Sequence, residues 1–132
     1  MGSPLTAALA VLPCRDLDRA CAFYARFGLE PLEPTPHYRL LVGGGAELHL
    51  RQADAAQPPP GDSPCGVYLR MEAVDELAAG FEAAELIHAP TAQPWGMYEF
   101  AVSDPDGALV RVGWPQRLRE GDAAPPTETP SA

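Results

Sequence analysis

The sequence predicts an α+β fold: one domain over residues 1–115, made of two tandem βαβββ units whose mixed sheets form a concave cleft. Three observations predict it. Leu12-Pro13-Cys14-Arg15-Asp16-Leu17-Asp18 precedes a helical pattern, and so does Leu69-Arg70-Met71-Glu72-Ala73-Val74-Asp75, at a constant offset of 57 positions (69 − 12) that also aligns Ala22 with Ala79, Tyr24 with Phe81 and Leu29 with Leu86. Each helical pattern is followed by segments in which apolar and polar residues alternate, as half-buried strands require. Residues 95–111 read as a strand, a tight Asp104-Pro105-Asp106-Gly107 turn and a returning strand, because Pro105 presets φ at the first central turn position.

The elements follow in order. The first repeat, about residues 7–52, opens on a strand and enters a helix capped by Asp16, where Leu17, Ala20, Cys21, Tyr24 and Phe27 recur at spacings of three and four before Gly28 ends it. Gly43-Gly44-Gly45 signals a hairpin. Residues 46–51 then put Leu48 and Leu50 on one strand face and Glu47, His49 and Arg51 on the other. The second repeat, about residues 65–114, alternates over 66–71, forms a helix on Val74, Leu77, Ala78 and Phe81 that Gly80 weakens, and alternates again over 98–102. Residues 53–64, with Pro58-Pro59-Pro60-Gly61, join the units, and residues 116–132, rich in Pro, Thr, Ala and Glu, are expected to be a disordered tail.

Composition narrows the function. At 132 residues the chain can bury one modest core. The formal charge of −9 repels phosphate, which argues against nucleic acid and membrane partners and favours a cationic small molecule. Three cysteines, Cys14, Cys21 and Cys65, without CxxC spacing, suit reduced thiols in a cytoplasm. Residues 1–4 carry neither the basic region nor the apolar core of a signal peptide, and no run approaches the roughly 18 apolar residues of a membrane span.

Taken together, Leu12-Pro13-x-Arg15-Asp16-x-Asp18, Ala22-Phe23-Tyr24 with Gly28-Leu29, Ile87-His88-Ala89-Pro90, Trp95-Gly96, and Asp104-Pro105-Asp106-Gly107 with Leu109 and Arg111 resemble a known family. The chain is similar, over about residues 7–114, to the bleomycin-resistance branch of the glyoxalase, or vicinal-oxygen-chelate, superfamily. The resemblance implies a homodimer that sequesters a cationic glycopeptide antibiotic of the bleomycin type in grooves at the subunit interface, without chemistry on the drug and without a cofactor.

In the superfamily's metal enzymes one ligand comes from each of several inward-facing strand positions. By the repeat these fall here near Leu9, at His49 (or Glu47), at Gly66 and at Arg111, so only one of four offers a ligand where a catalytic metal takes about three. No metal ligand and no catalytic residue is therefore expected. Lysine is absent, which excludes Schiff-base chemistry, and no Gly-rich phosphate loop occurs. A metal-dependent lyase or dioxygenase of the same superfamily stays open, as does a binding protein for another planar small molecule.

A planar, cationic ligand asks for flat aromatic surfaces, carboxylates and hydrogen-bonding groups. The resemblance puts Tyr38 and Trp95 at aromatic groove positions. Glu47 and His49 share the strand face away from Leu48 and Leu50, and Glu99 is expected to pair with Arg111 across the closing hairpin. With Tyr68 of the second unit, the candidate ligand-binding residues are Tyr38, Glu47, His49, Tyr68, Trp95, Glu99 and Arg111. His37 and His88 fall outside these positions.

Overall fold

Asp16 sets the first unit in motion. Its extended backbone lets the carboxylate accept the Arg19 N–H at 3.1 Å, so helix α1 (Leu17–Ala25) begins where the cap was expected. The computed structural model describes residues 2–54 and 59–119. The chain divides into two units, residues 1–57 and 58–132.

In the first unit α1 lies on a four-stranded sheet of order β1-β4-β3-β2, formed by β1 (Val11–Cys14), β2 (Glu30–Pro31), β3 (Tyr38–Gly43) and β4 (Ala46–Gln52). β1 runs parallel to β4, and the other pairs are antiparallel. Leu12, Cys14, Leu41, Leu48 and Leu50 are buried together with the α1 stripe Leu17, Ala20, Cys21 and Tyr24, so the opposite faces of β3 and β4 carry Tyr38, Leu40, Glu47, His49 and Arg51. The strand predicted near Leu9 begins at Val11 instead, and Leu9 is exposed. Residues 7–12 are an unbroken apolar run with no alternation, so only the ladder, in which the Ala10 carbonyl accepts the His49 N–H at 3.0 Å, decides where pairing starts.

The second unit repeats the module with β5 (Gly66–Arg70), α2 (Val74–Ala79), β6 (Leu86–Ala92), β7 (Met97–Ser103) and β8 (Leu109–Pro115), in the order β5-β8-β7-β6. Phe100, Val102, Val110 and Val112 are buried along with Val74, Ala78 and Phe81. α2 has six residues and no side-chain cap at Ala73, and Gly80 stands at its C-cap, which shortens the predicted helix so that Phe81 packs from the turn beyond it. The β7–β8 turn is held by the buried Asp104, whose carboxylate accepts the N–H groups of Asp106 and Ala108, each at 2.9 Å.

Two boundaries differ from the sequence reading. Of the expected linker, residues 55–58 lie outside the described residues. Beyond them the chain is tied to its own unit, the Gly61 N–H donating to Ser103 Oγ at 3.1 Å and the Ser63 N–H to the Gly107 carbonyl at 3.0 Å. The tail predicted from residue 116 starts as a short helix, α3 (Gln116–Arg119); residues 120–132 lie outside the described residues. The helix is held because the Arg119 guanidinium lies over the Tyr98 ring at 3.7 Å and pairs with Asp75 at 3.2 Å.

Candidate functional site

Each sheet carries a polar cluster on the face away from its helix. In the first unit three of the predicted residues are joined. The Tyr38 hydroxyl stands 2.8 Å from His49 Nδ1, with the rings edge-on at 80°, and His49 Nε2 stands 2.5 Å from Glu47 Oε2. A proton on Nε2 donates to the carboxylate and leaves Nδ1 to accept the phenol, so one tautomer satisfies the whole chain. Glu47 remains 39 % exposed and keeps acceptor capacity for a ligand.

In the second unit the carboxylate is at the centre. Glu99 is only 1 % exposed. Tyr68 donates to its Oε1 at 3.0 Å, while Oε2 faces His88 Nε2 at 3.4 Å and Arg111 Nε at 3.6 Å. Neither of the latter contacts is a hydrogen bond, and Oε2 has no hydrogen-bond partner among the described residues. Arg111 thus holds Oε2 by charge alone, with the His88 ring beside it. The expected pairing of Glu99 with Arg111 across the hairpin is present, and Tyr68 joins it from β5, reaching over Gly113, where a Cβ would strike its hydroxyl. Burial and the bond to Glu99 push the Tyr68 hydroxyl up to about 12, so it stays a donor in neutral solution.

Trp95 is at the tip of the β6–β7 hairpin. Pro94 and Trp95 are the central residues of a turn closed by the Gly96 N–H on the Gln93 carbonyl at 2.9 Å, and Gly96 takes φ 90°, which a side chain would oppose. The indole is 61 % exposed. No core claims it.

The sequence reading missed His88. Its Nδ1 faces the Ala89 carbonyl at 3.0 Å and its Nε2 faces Glu99. β6 shifts register between Leu86 and His88 and again between His88 and Thr91, so counting alternate residues along it cannot say which face His88 takes. His37 lies outside both clusters. Its carbonyl accepts the Gln52 N–H at 2.9 Å.

The donor set does not fit a catalytic metal. Arg111, a cation, occupies one of the four strand positions, Gly66 offers no side chain, Leu9 lies outside the sheet, and His49 is engaged by Tyr38 and Glu47. Among the described residues no three His, Cys, Asp or Glu side chains gather to hold an ion. Cys14 and Cys21 are buried, and burial pushes the Cys21 thiol up, away from the reactive thiolate. Among the described residues no helix is long and apolar enough to cross a membrane.

Comparison with known proteins agrees with this architecture. The family model of the Glyoxalase/Bleomycin resistance protein/Dioxygenase superfamily matches residues 6–112, and the chain belongs to that superfamily. Within it, the chain is 29 % identical over 111 residues to a bleomycin resistance protein from Klebsiella pneumoniae, an alignment covering 76 % of this chain and 86 % of that one. The crystal structure of a bleomycin-binding protein complexed with bleomycin superposes with a TM-score of 0.65 at 27 % identity, covering 83 % of this chain and 98 % of the other. The lactoylglutathione lyase of Agrobacterium tumefaciens superposes with a TM-score of 0.66 at 32 % identity, covering 87 % and 98 %.

Proposed function

We propose that this chain binds a glycopeptide antibiotic of the bleomycin type in the cytoplasm, as a homodimer with its grooves at the subunit interface, and that it sequesters the drug without altering it. The likeness to the bleomycin-complexed protein carries this reading. The surface chemistry supports it: Trp95 offers a bare indole face for a planar heteroaromatic, and Glu47 offers an open carboxylate for a cationic group. The formal charge of −9 would raise the encounter rate with such a ligand.

A second reading, a metal-dependent enzyme, draws on the 32 % identity to the lactoylglutathione lyase. It would need ligands that the expected positions do not supply. The two are separated by calorimetric titration of chelator-treated protein with metal-free and copper-loaded bleomycin. Saturation at one drug per chain is expected, and absence of heat with both forms would overturn the binding reading. Stoichiometric retention of a divalent ion would support the enzyme instead. Trp95→Ala should weaken drug binding by about 1–3 kcal/mol with an unchanged unfolding midpoint, because the side chain is solvent-facing at a hairpin tip. Unchanged affinity would remove Trp95 from the site.

A further inference from the structure

Two guanidinium groups of the second unit lack acidic partners able to satisfy them. Arg111 turns its Nε edge toward the buried Glu99, yet its side chain is 44 % exposed and makes no other ion pair or hydrogen bond among the described residues. Arg70 lies two residues after Tyr68 on the same exposed face of β5, and it makes no ion pair among the described residues. The ladder places Tyr68 beside Arg111 and Arg70 beside Gly113, so both arginines flank the Tyr68 phenol, whose hydroxyl feels the charge of each. Two other arginines do meet carboxylates: Arg39 pairs with Asp18 at 3.3 Å and Arg119 with Asp75 at 3.2 Å.

Charge balance on this face is uneven. Arg111 faces the one carboxylate of the cluster, which is sealed beneath Tyr68 and the sheet, and Arg70 makes no ion pair among the described residues. The surplus is positive, in a chain whose formal charge is −9. Guanidinium forks match the two oxygens of an oxyanion, and Arg70 and Arg111 stand on either side of Tyr68 on this face.

We propose that the β5–β8 face of the second unit is an oxyanion subsite, in which Arg70 and Arg111 bind a carboxylate or a phosphate-like group carried by a small molecule. The subsite stands on the second unit's own residues and does not rest on the bleomycin reading.

The full chain is titrated with sodium phosphate, sodium sulfate and sodium acetate at ionic strength held constant with sodium chloride, while the arginine Nε–Hε signals are followed by NMR. Arg70→Gln and Arg111→Gln assign the two signals. Saturable shifts of both are expected with at least one probe. Response to acetate alone identifies a carboxylate ligand; response to phosphate or sulfate identifies a tetrahedral one. Arg70→Gln should weaken binding about tenfold, and Arg117→Gln, on α3, should leave it unchanged. Arg70 makes no ion pair, so its loss leaves the fold intact even if Arg111→Gln disturbs Glu99. Shifts that grow linearly without saturating, or an affinity that Arg70→Gln does not change, would overturn the subsite. Bleomycin heat is measured in a separate titration, so either reading can fail alone.

Discussion

The two sheets hold equivalent positions and fill them differently. In the first unit Val11 lies beside His49, Leu40 opposite His49, and Tyr38 opposite Arg51; in the second Tyr68 lies beside Arg111, Ala101 opposite Arg111, and Glu99 opposite Gly113. Tyr38, His49 and Arg51 therefore correspond to Glu99, Arg111 and Gly113. The first cluster is an open chain with imidazole in the middle and a solvent-facing carboxylate at its end. The second is closed, with its carboxylate underneath. Gly113 contributes to the difference: where the first unit carries the Arg51 side chain, the second has space, and the Tyr68 ring lies down into it to reach Glu99 across β8. A tyrosine in the place of Val11, a glutamate in that of Tyr38 and a glycine in that of Arg51 make a buried ionic cluster from the register positions of an open relay.

The largest test of this comparison is Gly113→Ala. Its new methyl would fall on the Tyr68 hydroxyl and crowd Glu99 Cβ at 2.9 Å, so stability in urea should drop by about 1–3 kcal/mol. A neutral substitution would show that Tyr68 yields at no cost and that Gly113 does not organise the cluster.

A smaller effect separates the two carboxylates. Glu99→Gln keeps an acceptor for Tyr68 but removes the charge that faces Arg111 and His88, and should cost about 1–2 kcal/mol. Glu47→Gln acts at a solvent-screened pair and should stay within about 0.5 kcal/mol. Equal losses at the two sites would mean that burial does not distinguish them.

The smallest effect is a pH dependence. Tyr68 is protonated more tightly in the folded protein, about 12 against an ordinary 10.0, first because burial disfavours the phenolate and then because Glu99 accepts its proton. Stability from this group is complete below pH 10 and is lost as the pH rises through about 12. Tyr98, raised by its bond to Asp75, contributes in the same direction. Tyr68→Phe should flatten the decline in unfolding free energy above pH 10 without abolishing it. An unaltered slope would show that Tyr68 does not donate to Glu99 in solution.

Much of this was legible in the residues. Apolar spacing placed α1, because Leu17, Ala20, Cys21 and Tyr24 can share one face only on a helix, and strict alternation placed Glu47 and His49 together away from Leu48 and Leu50. The Asp104 turn was readable for the same local reason, since a carboxylate two and four residues before the N–H groups it accepts needs no distant partner. The pairing of Glu99 with Arg111 followed from a hairpin whose turn was already known.

What stayed hidden depended on contacts between strands far apart in sequence. The start of β1 was set by the His49 ladder, within an apolar run that carries no local mark. Arg119 anchored α3 through Tyr98 and Asp75, so a stretch with the composition of a tail became a helix. His88 joined Glu99 only because β6 slips its register, and Tyr68 did so only because Gly113, on a different strand, has no side chain. Sequence by itself determined the repeat, the helices, the hairpin and the residues available for a site, since these rest on periodicity and turn chemistry over a few neighbours. Tertiary structure decided which of those residues meet and how deeply each charge is buried, because that depends on strand register and on the space left by residues the local pattern never sees.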